Sequence, residues 1–531
     1  MSPVLQLLFG ASVLASIYSV FKSLIFNMHM FQLESYRVSD YLVWLFKHIK
    51  HYIPEIITFV LSFTAFIDYD AESGDDNKFA IFAALLFISI FGIIIGNRGR
   101  EEKKPLVYTA RVKRLYVTSL ILIAAVCVVT VCLLKAAEKH FAFMCIGLLN
   151  ALIPVIISLA KIINTPIEKG INLHYTNEAK HMLASCPDLQ TIGITGSYGK
   201  TSVKFYLYTI LRAWTDTLVT PASFNTPMGI VKTVRGSLRA YHKIFLCEMG
   251  AKWVGDIKEL CDIAHPKHGI ITALGEQHLE SFGSQENIIK TKYELADALP
   301  ENGRLYVNWD NELIRKNPPK HKFIKYGLRE DCDYRAFDIK PNTKGTKFSV
   351  KAPDGTVTEF ETQLLGNHNI ENITGAIAAA NGFGMPMEKM RMYVRRIEAV
   401  EHRMQIVDKG NVTIIDDAFN SNPAGCRAAL ETLSVMDGMR ILVTPGMVEL
   451  GEKENELNEQ FGETAAKCCD EIVLIGEKQT EYIKKGVLSQ KFDEKHLHVF
   501  ESFKEGMAYV YAIRTDKKKI VLLENDLPDN Y

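Results

Sequence analysis

Long apolar stretches crowd the first 160 residues, whereas most charged residues come later. So many consecutive apolar runs favour a membrane-spanning block over buried helices of a soluble domain. A cleaved signal peptide is not expected, because the first run lacks a basic segment before it and further runs follow. The second run is the weakest, being short and carrying Glu55. Five membrane helices are predicted: Val4 to Phe26, Ile53 to Tyr69, Phe79 to Asn97, Leu115 to Leu134, and Phe141 to Ala160.

The connections between these runs differ in charge. Basic residues fill the connections at 37–50 and 98–114, and an acidic connection at 68–76 lies between them. Since basic loops stay on the cytoplasmic side, this pattern predicts a multi-pass protein of the cell membrane. Its N-terminus would lie outside, and everything after Lys161 would lie in the cytoplasm. The segment 31–48 mixes apolar and charged residues, so it fits either a helix along the inner leaflet or an ordinary loop helix.

The second part of the chain alternates apolar strand-like runs with helical ones. This alternation predicts α/β layers with largely parallel sheets. The helical stretches Glu371 to Ala380 and Glu388 to Ile397 end just before a new series of strands, which indicates a domain boundary near Val400. Strands are predicted at 189–194, 244–249, 269–274, 305–308, 412–416, 441–445, 471–475 and 520–523.

The composition of the chain argues against a nucleic-acid-binding surface, a zinc ribbon and a disulfide framework. The 61 basic and 61 acidic residues balance, which argues against a nucleic-acid-binding surface. None of the ten cysteines forms a Cys-x-x-Cys pair, so neither a zinc ribbon nor a disulfide framework is expected.

The segment Gly193 to Ser202 reads GITGSYGKTS and joins an apolar strand to a helix. Glycines let backbone N–H groups approach phosphate oxygens, a lysine places a cation on the phosphates, and a hydroxyl can hold Mg²⁺. The segment is therefore predicted to be a phosphate-binding loop, although its glycine spacing departs from the strict G-x-x-x-x-G-K-[ST] pattern. The expected nucleotide-binding residues are Gly196, Ser197, Gly199, Lys200, Thr201 and Ser202.

A carboxylate ends the next long strand, in the sequence Phe-Leu-Cys-Glu-Met-Gly, where the acid is Glu248. At the carboxyl end of a strand beside a phosphate loop, it is well placed to hold Mg²⁺ together with Thr201.

Together these motifs resemble the Mur ligase family, whose enzymes join a carboxylate to an amine through an acyl phosphate. The Glu-Met-Gly at 248–250, the stretch ITALGEQHLE at 271–280 and IKTKYEL at 289–295 are similar to the MurF branch, which adds D-alanyl-D-alanine to a muramoyl tripeptide. The resemblance implies ATP as a substrate, with catalytic Lys200, His278 and Lys292. It also implies two Mg²⁺ sites: Thr201 and Glu248 would hold the first, and His278 with Lys292, carbamylated by CO₂, the second.

Later motifs extend the resemblance. The stretch GNHNIEN at 366–372 implies that Asn372 contacts the adenine, and EHR at 401–403 with DDAFNSNP at 416–423 implies that Arg403 and Asp417 help to close the last domain over ATP. The expected fold class is thus α/β, with an all-helical transmembrane block (1–165), a P-loop parallel-sheet ATPase domain (166–399) and a Rossmann-like C-terminal domain (400–531).

The resemblance fails in three places. Only the 29 residues 162–190 separate the last apolar run from the loop strand, too few for a separate domain that grips a UDP-sugar. We therefore expect the membrane block to stand in its place. The segment 223–229 follows the family's substrate loop only in part, and the terminal ENDLPDN lacks the family's Lys-Gly-Ser.

The leading hypothesis is an ATP-dependent ligase that adds D-alanyl-D-alanine or a similar amino acid or dipeptide to a small-molecule peptidoglycan precursor. One alternative is a ligase acting on a lipid-linked muropeptide or a poly-γ-glutamate-like polymer. A second, of another class, is a membrane transporter or sensor gated by ATP. Sparse charge within the apolar runs argues against the transporter.

Overall fold

The computed structural model describes most of the chain, in two compact units, one within residues 1–172 and the other within residues 173–525. The described residues are 3–68, 84, 85, 88, 90, 91, 105–133, 140–275, 279–342, 345–398, 404–418, 422–448 and 450–525.

The first unit is helical. Helices cover four of the five predicted membrane runs, and the third run, Phe79 to Asn97, lies mostly outside the described residues. Within the described part, two stretches are long and apolar enough to cross a membrane by length and composition, Ala110–Val129 and Leu148–Ala184. The insertion of five helices into a membrane stays a prediction. The helices are α1 (Pro3–Leu33), α2 (Val38–Lys47), a 3₁₀ turn (Ile49–Tyr52), α3 (Ile53–Asp68), α4 (Ala110–Leu133) and α5 (His140–Ala184).

Buried hydrogen bonds join the helices of this unit. The Asn27 Oδ1 atom accepts bonds of 2.6 Å from the hydroxyls of both Tyr41 and Tyr52. The Ser19 hydroxyl donates a 2.6 Å bond to the Asn150 side chain. Because a buried polar group is costly without a partner, these bonds hold α1, α2 and α5 in a defined arrangement.

The second unit begins with the last turns of α5, whose Ala179 and Leu183 pack into its core. Helix α5 therefore occupies most of the region before the first strand. A nine-stranded sheet follows, in the order β2-β3-β1-β4-β5-β6-β7-β8-β9. Its strands are β1 (Gln190–Thr195), β2 (Thr217–Val219), β3 (Ile244–Glu248), β4 (His268–Ile271), β5 (Leu305–Asn308), β6 (Phe323–Gly327), β7 (Tyr334–Asn342), β8 (Gly345–Lys351) and β9 (Val357–Thr362).

The sheet is parallel from β2 to β7, and β8 and β9 continue it antiparallel. Helices cover both faces, so alternate residues of one strand enter different cores. Ile244 and Leu246 of β3 pack on one side, while Phe245 and Cys247 pack on the other. This two-sided burial explains why the parallel strands appear in the sequence as continuous apolar runs. The helices are α6 (Lys200–Leu211), α7 (Pro227–Ser237), α8 (Asp256–Ala264), α9 (Leu279–Phe282), α10 (Gln285–Ala298), α11 (Glu312–Lys316), α12 (Asn367–Gly382) and α13 (Met387–Val394).

A six-stranded sheet forms the remainder, in the order β10-β11-β15-β12-β13-β14. All its pairs are parallel except β10 with β11. The α/β class with parallel sheets is thus confirmed. The strands are β10 (Gln405–Asp408), β11 (Val412–Asp417), β12 (Met439–Thr444), β13 (Glu471–Ile475), β14 (Leu497–Phe500) and β15 (Lys519–Glu524). The helices are α14 (Pro423–Ser434), α15 (Glu454–Cys468), α16 (Glu481–Ser489) and α17 (Phe503–Ala512), with 3₁₀ turns at Gly451–Lys453 and Glu494–His496.

Candidate active site

The predicted phosphate loop connects β1 to α6, and two of its glycines are required by geometry. Gly199 has φ +78°, and a Cβ atom there would lie 2.8 Å from Asn372 Oδ1. Gly196 has φ +149°, and a Cβ atom there would lie 2.2 Å from Thr272 Oγ1. Because both positions disfavour a side chain, the loop backbone stays open to a ligand at the start of α6.

Bonds to the segment after β4 hold the loop in place. The Ser197 N–H donates 2.6 Å to the Ala273 carbonyl, and the Ser197 hydroxyl donates 3.0 Å to the Gly275 carbonyl. The Thr272 hydroxyl donates to the Tyr198 carbonyl. The Ser197 hydroxyl thus holds the loop, while Ser202 is buried in the first turn of α6.

Lys200 folds back over the loop. Its Nζ donates bonds of 2.7 Å to the Gly196 carbonyl and 2.9 Å to the Ser197 carbonyl. The ammonium group therefore lies at the loop itself, where a phosphate would offer it a stronger, charged acceptor.

Glu248 ends β3 beside this loop and is almost wholly buried. Its Oε1 accepts bonds of 3.1 Å from both the Thr201 hydroxyl and the Asn225 amide. Its Oε2 lies 2.9 Å from Nζ of Lys204, which is also fully buried. Lys204 and Asn225 are not among the site residues predicted from the sequence. Asn225 lies in the segment 223–229 compared with the family's substrate loop, and the local signal for Lys204 is a lysine inside the apolar stretch of α6, one turn after Lys200.

The arrangement of Thr201 and Glu248 fits a magnesium ion. Mg²⁺ binds oxygen ligands octahedrally at about 2.1 Å, which puts neighbouring ligand atoms about 3 Å apart. The Thr201 Oγ1 and Glu248 Oε1 atoms are 3.1 Å apart. Within the described part of the chain, no group of three or more His, Cys, Asp or Glu side chains could hold a metal by itself. The remaining ligands would therefore come from phosphate and water.

Lys292 lies on α10 and is only 2% exposed. Burial, with a contribution from the positive charge of Lys200, lowers its pKa well below the ordinary value for lysine. A neutral amine is the form of lysine that reacts with CO₂. Its expected partner His278 lies outside the described residues, together with Glu276 and Gln277.

Asn372 lies on α12 with its side chain against Gly199 of the predicted phosphate loop, and its contact with the adenine stays a prediction. The Tyr206 hydroxyl of α6 donates a 2.8 Å hydrogen bond to Asn369 Oδ1, which joins α6 to α12.

Glu371, next to Asn372 on α12, is a further acid near the site that was not predicted from the sequence. Its carboxylate accepts a 3.1 Å hydrogen bond from the side chain of the buried Asn308. Burial raises the pKa of the Glu371 carboxyl to about 7.

Of the two site residues predicted near the second sheet, the structure describes only Asp417. Asp417 ends β11, and its Oδ1 accepts a 3.1 Å bond from the Met404 N–H. Arg403 lies outside the described residues. The structure therefore gathers Lys200, Thr201, Glu248 and Asn372 at one loop, and places Asp417 in the second sheet.

Comparison with protein families agrees with this geometry. Residues 194–380 match the Mur ligase middle domain, and residues 402–524 match the Mur ligase glutamate ligase domain. Similar curated proteins include the UDP-N-acetylmuramoyl-tripeptide--D-alanyl-D-alanine ligase of Bacillus subtilis. It is 29% identical over 316 residues, which cover 59% of this chain and 68% of that protein. The enzyme of the same name from Escherichia coli is 29% identical over 58% of this chain and 69% of its own length.

Solved structures share the fold. The MurF ligase of Thermotoga maritima in complex with ADP is 25% identical, with a TM-score of 0.60 over 67% of this chain and 80% of that one. MurF from Acinetobacter baumannii, at 24% identity and a TM-score of 0.61, covers 67% of this chain and 77% of its own.

Gly199→Ala tests the loop geometry. We expect it to weaken ATP binding at least tenfold, because the new methyl group meets Asn372 and the positive φ becomes unfavourable by about 1–2 kcal/mol. Titration with a fluorescent ATP analogue measures the affinity. The control is Gly236→Ala, since Gly236 lies in α7 with nothing within 4 Å of a Cβ atom. This control should bind ATP normally and unfold at the same or a higher temperature. Equal affinities in both variants would contradict the assignment of the loop.

Proposed function

Since this chain belongs to the Mur ligase family through its residues 194–380 and 402–524, we propose that it adds D-alanyl-D-alanine, or a closely similar amine, to a peptidoglycan precursor peptide. Membership of the family makes it an ATP-dependent ligase. The proposal for the substrates rests on relatives named for this reaction, and on a site that pairs a phosphate loop with a buried carboxylate at Mg²⁺ spacing.

In the proposed reaction, a carboxylate oxygen of the precursor attacks the γ-phosphorus of ATP, and ADP leaves. The incoming amine then attacks the acyl carbon, loses a proton, and displaces inorganic phosphate. Lys200 would hold the transferred phosphoryl group in line and offset its negative charge. Thr201 and Glu248 would hold Mg²⁺, which when bound neutralises phosphate charge. Asn372 would orient the adenine, and Arg403 and Asp417 would couple domain closure to the nucleotide.

Lys200→Ala tests the ligase function. We expect purified protein with this change to form product at least about a hundredfold more slowly, because the phosphoryl group loses its positioned cation. Product is measured by mass spectrometry with ATP, Mg²⁺, D-alanyl-D-alanine and UDP-muramoyl-tripeptide. Lys258→Ala removes an exposed lysine on α8 and should leave the rate unchanged. Product formation at the parental rate in Lys200→Ala would contradict the proposal.

The same assay separates the alternatives. Product from the UDP-linked precursor supports the leading proposal. Product only from the lipid-linked form would make the chain a ligase of lipid-bound precursors. ATP turnover that needs no amine and follows a transmembrane gradient would instead favour a transporter.

A second metal site is also part of the proposal, formed by His278 and a carbamate on Lys292. The resemblance of the segments at 271–280 and 289–295 to the MurF branch supports it, and the burial of Lys292 would protect a carbamate from water.

Carbamylation of Lys292 has a direct spectroscopic test. Protein equilibrated with ¹³C-labelled bicarbonate should give a carbamate carbon NMR signal that Lys292→Arg removes, and the ligase rate of that variant should fall about a hundredfold. Lys290→Arg is the matched control, because Lys290 is exposed on the same helix and should keep both the signal and the rate. Retention of the signal in Lys292→Arg would show that Lys292 is not the carbamylated residue.

The location proposed for the chain is the cell membrane, with the ligase domains on the cytoplasmic side. Helix α4 exposes Val117, Ile121 and Val128, and α5 exposes Val155 and Ile162. Large apolar side chains repeated along one face of a helix are unfavourable in water and favourable in lipid.

Membrane attachment can be measured by fractionation. We expect the full chain to remain in the membrane pellet after washing with alkaline carbonate, and a chain beginning at Leu173 to stay in the supernatant. The truncated chain keeps both α/β sheets and serves as the control for the ligase domains. Release of the full chain by carbonate would contradict membrane insertion.

A further inference from the structure

Lys204 is a fully buried lysine with no role in the proposed reaction. It lies on α6, one turn after Lys200, with an exposed fraction of 0%. Its Nζ is 2.9 Å from Glu248 Oε2 and also donates to the carbonyl of Ala222. Lys204 therefore joins the helix after the phosphate loop, the end of β3 and the segment that follows β2.

A buried ion pair of this kind is difficult to explain by stability alone. Removing two charges from water is costly, and apolar residues of similar size are often as stable in such positions. The rest of α6 packs with apolar residues such as Val203, Leu207 and Ile210, so packing does not require a lysine here. The contact of the ammonium group with the Glu248 carboxylate is therefore the feature of Lys204 that packing leaves unexplained.

The ion pair with Lys204 distinguishes the two oxygens of Glu248. Oε2 lies 2.9 Å from the ammonium group without a hydrogen bond from any described residue, whereas Oε1 accepts hydrogen bonds from Thr201 and Asn225. Oε1 lies 3.1 Å from the Thr201 hydroxyl, the separation expected for two neighbouring ligands of Mg²⁺. Since Oε2 is occupied by the lysine, only Oε1 is left for a metal, and the orientation of the carboxylate is fixed. Without Lys204 the carboxylate could rotate or offer both oxygens.

The segment 220–225 is held by the same group of bonds. The Glu248 N–H donates 3.1 Å to the Thr220 hydroxyl, and the Gly250 N–H donates 2.9 Å to the Asn225 carbonyl. Ala222, which receives the bond from Lys204, has φ +42°. Glu248, Lys204 and the segment 220–225 are thus linked in one network of polar contacts.

We propose that Lys204 is a positioning residue for magnesium: it holds Glu248 so that a single oxygen, Oε1, binds the metal beside Thr201. This inference rests on the proposed function, in which Thr201 and Glu248 bind Mg²⁺ with ATP. Groups that orient a metal ligand commonly change metal affinity by about 10- to 100-fold when they are removed.

Lys204→Met tests the inference in the full-length chain. The measured quantity is the Mg²⁺ concentration that gives half-maximal binding of a fluorescent ATP analogue, with thermal unfolding recorded for each protein. We expect this concentration to rise about tenfold or more. The control is Lys519→Met, since Lys519 is a buried lysine of β15 whose ammonium group donates to the Val510 and Tyr511 carbonyls. That variant should unfold at a lower temperature with an unchanged Mg²⁺ requirement.

A lower unfolding temperature in Lys204→Met with an unchanged Mg²⁺ requirement would make Lys204 structural only and overturn the inference. Parental protein that binds the nucleotide equally well without Mg²⁺ would overturn the proposed function instead. The two failures are therefore distinguishable.

A second comparison applies even if Lys204→Met does not fold. Glu248→Gln and the double variant Lys204→Met with Glu248→Gln both lack the carboxylate, and the double variant leaves no unpaired buried charge. If Lys204 acts through Glu248, these two proteins should need the same Mg²⁺ concentration. A further tenfold rise in the double variant would show that Lys204 acts by another route.

Discussion

The carboxylate of Glu248 is the constraint around which the candidate nucleotide site is built. A buried negative charge must be surrounded by cationic or hydrogen-bond-donating groups, and here they come from Thr201 and Lys204 of α6 and from Asn225 in the segment after β2. Each donor also fixes the element that carries it. The loop after β1 and the end of β3 are thereby joined at Glu248, where Thr201 and Glu248 would hold a metal ion.

Parallel strands make this arrangement possible. In the larger sheet β1 lies between β3 and β4, so the phosphate loop, Glu248 and the segment after β4 all leave the sheet at the same edge. Helices on both faces keep that edge rigid. Ligands of open parallel sheets bind in the crevice outside the carboxyl ends of the strands, where backbone N–H groups and charged side chains meet them.

Several elements escaped the sequence analysis for physical reasons. The strands β7 to β9 belong to an antiparallel extension, where Phe348 and Val350 face the core and Lys347 and Lys351 face solvent. Such alternation is weaker as a signal than the apolar runs of parallel strands. The short β2 was missed because three residues are too few to show a period. By contrast, β5 and β13 begin and end where expected, since both are buried on two sides.

The sequence by itself determined the parallel α/β class, the family, and the glycine-rich loop between β1 and α6 that is predicted to bind phosphate. These depend on local properties: glycines that permit unusual backbone angles, apolar runs long enough for buried strands, and motifs a few residues long. Only the tertiary structure decided that Lys204 and Asn225 hold Glu248, and that Asn372 lies against Gly199. Thr201 and Glu248 are 47 positions apart, and their contact depends on the order of strands in the sheet. A side chain's partner across such a distance is set by the packing of whole elements, which no short segment of sequence contains.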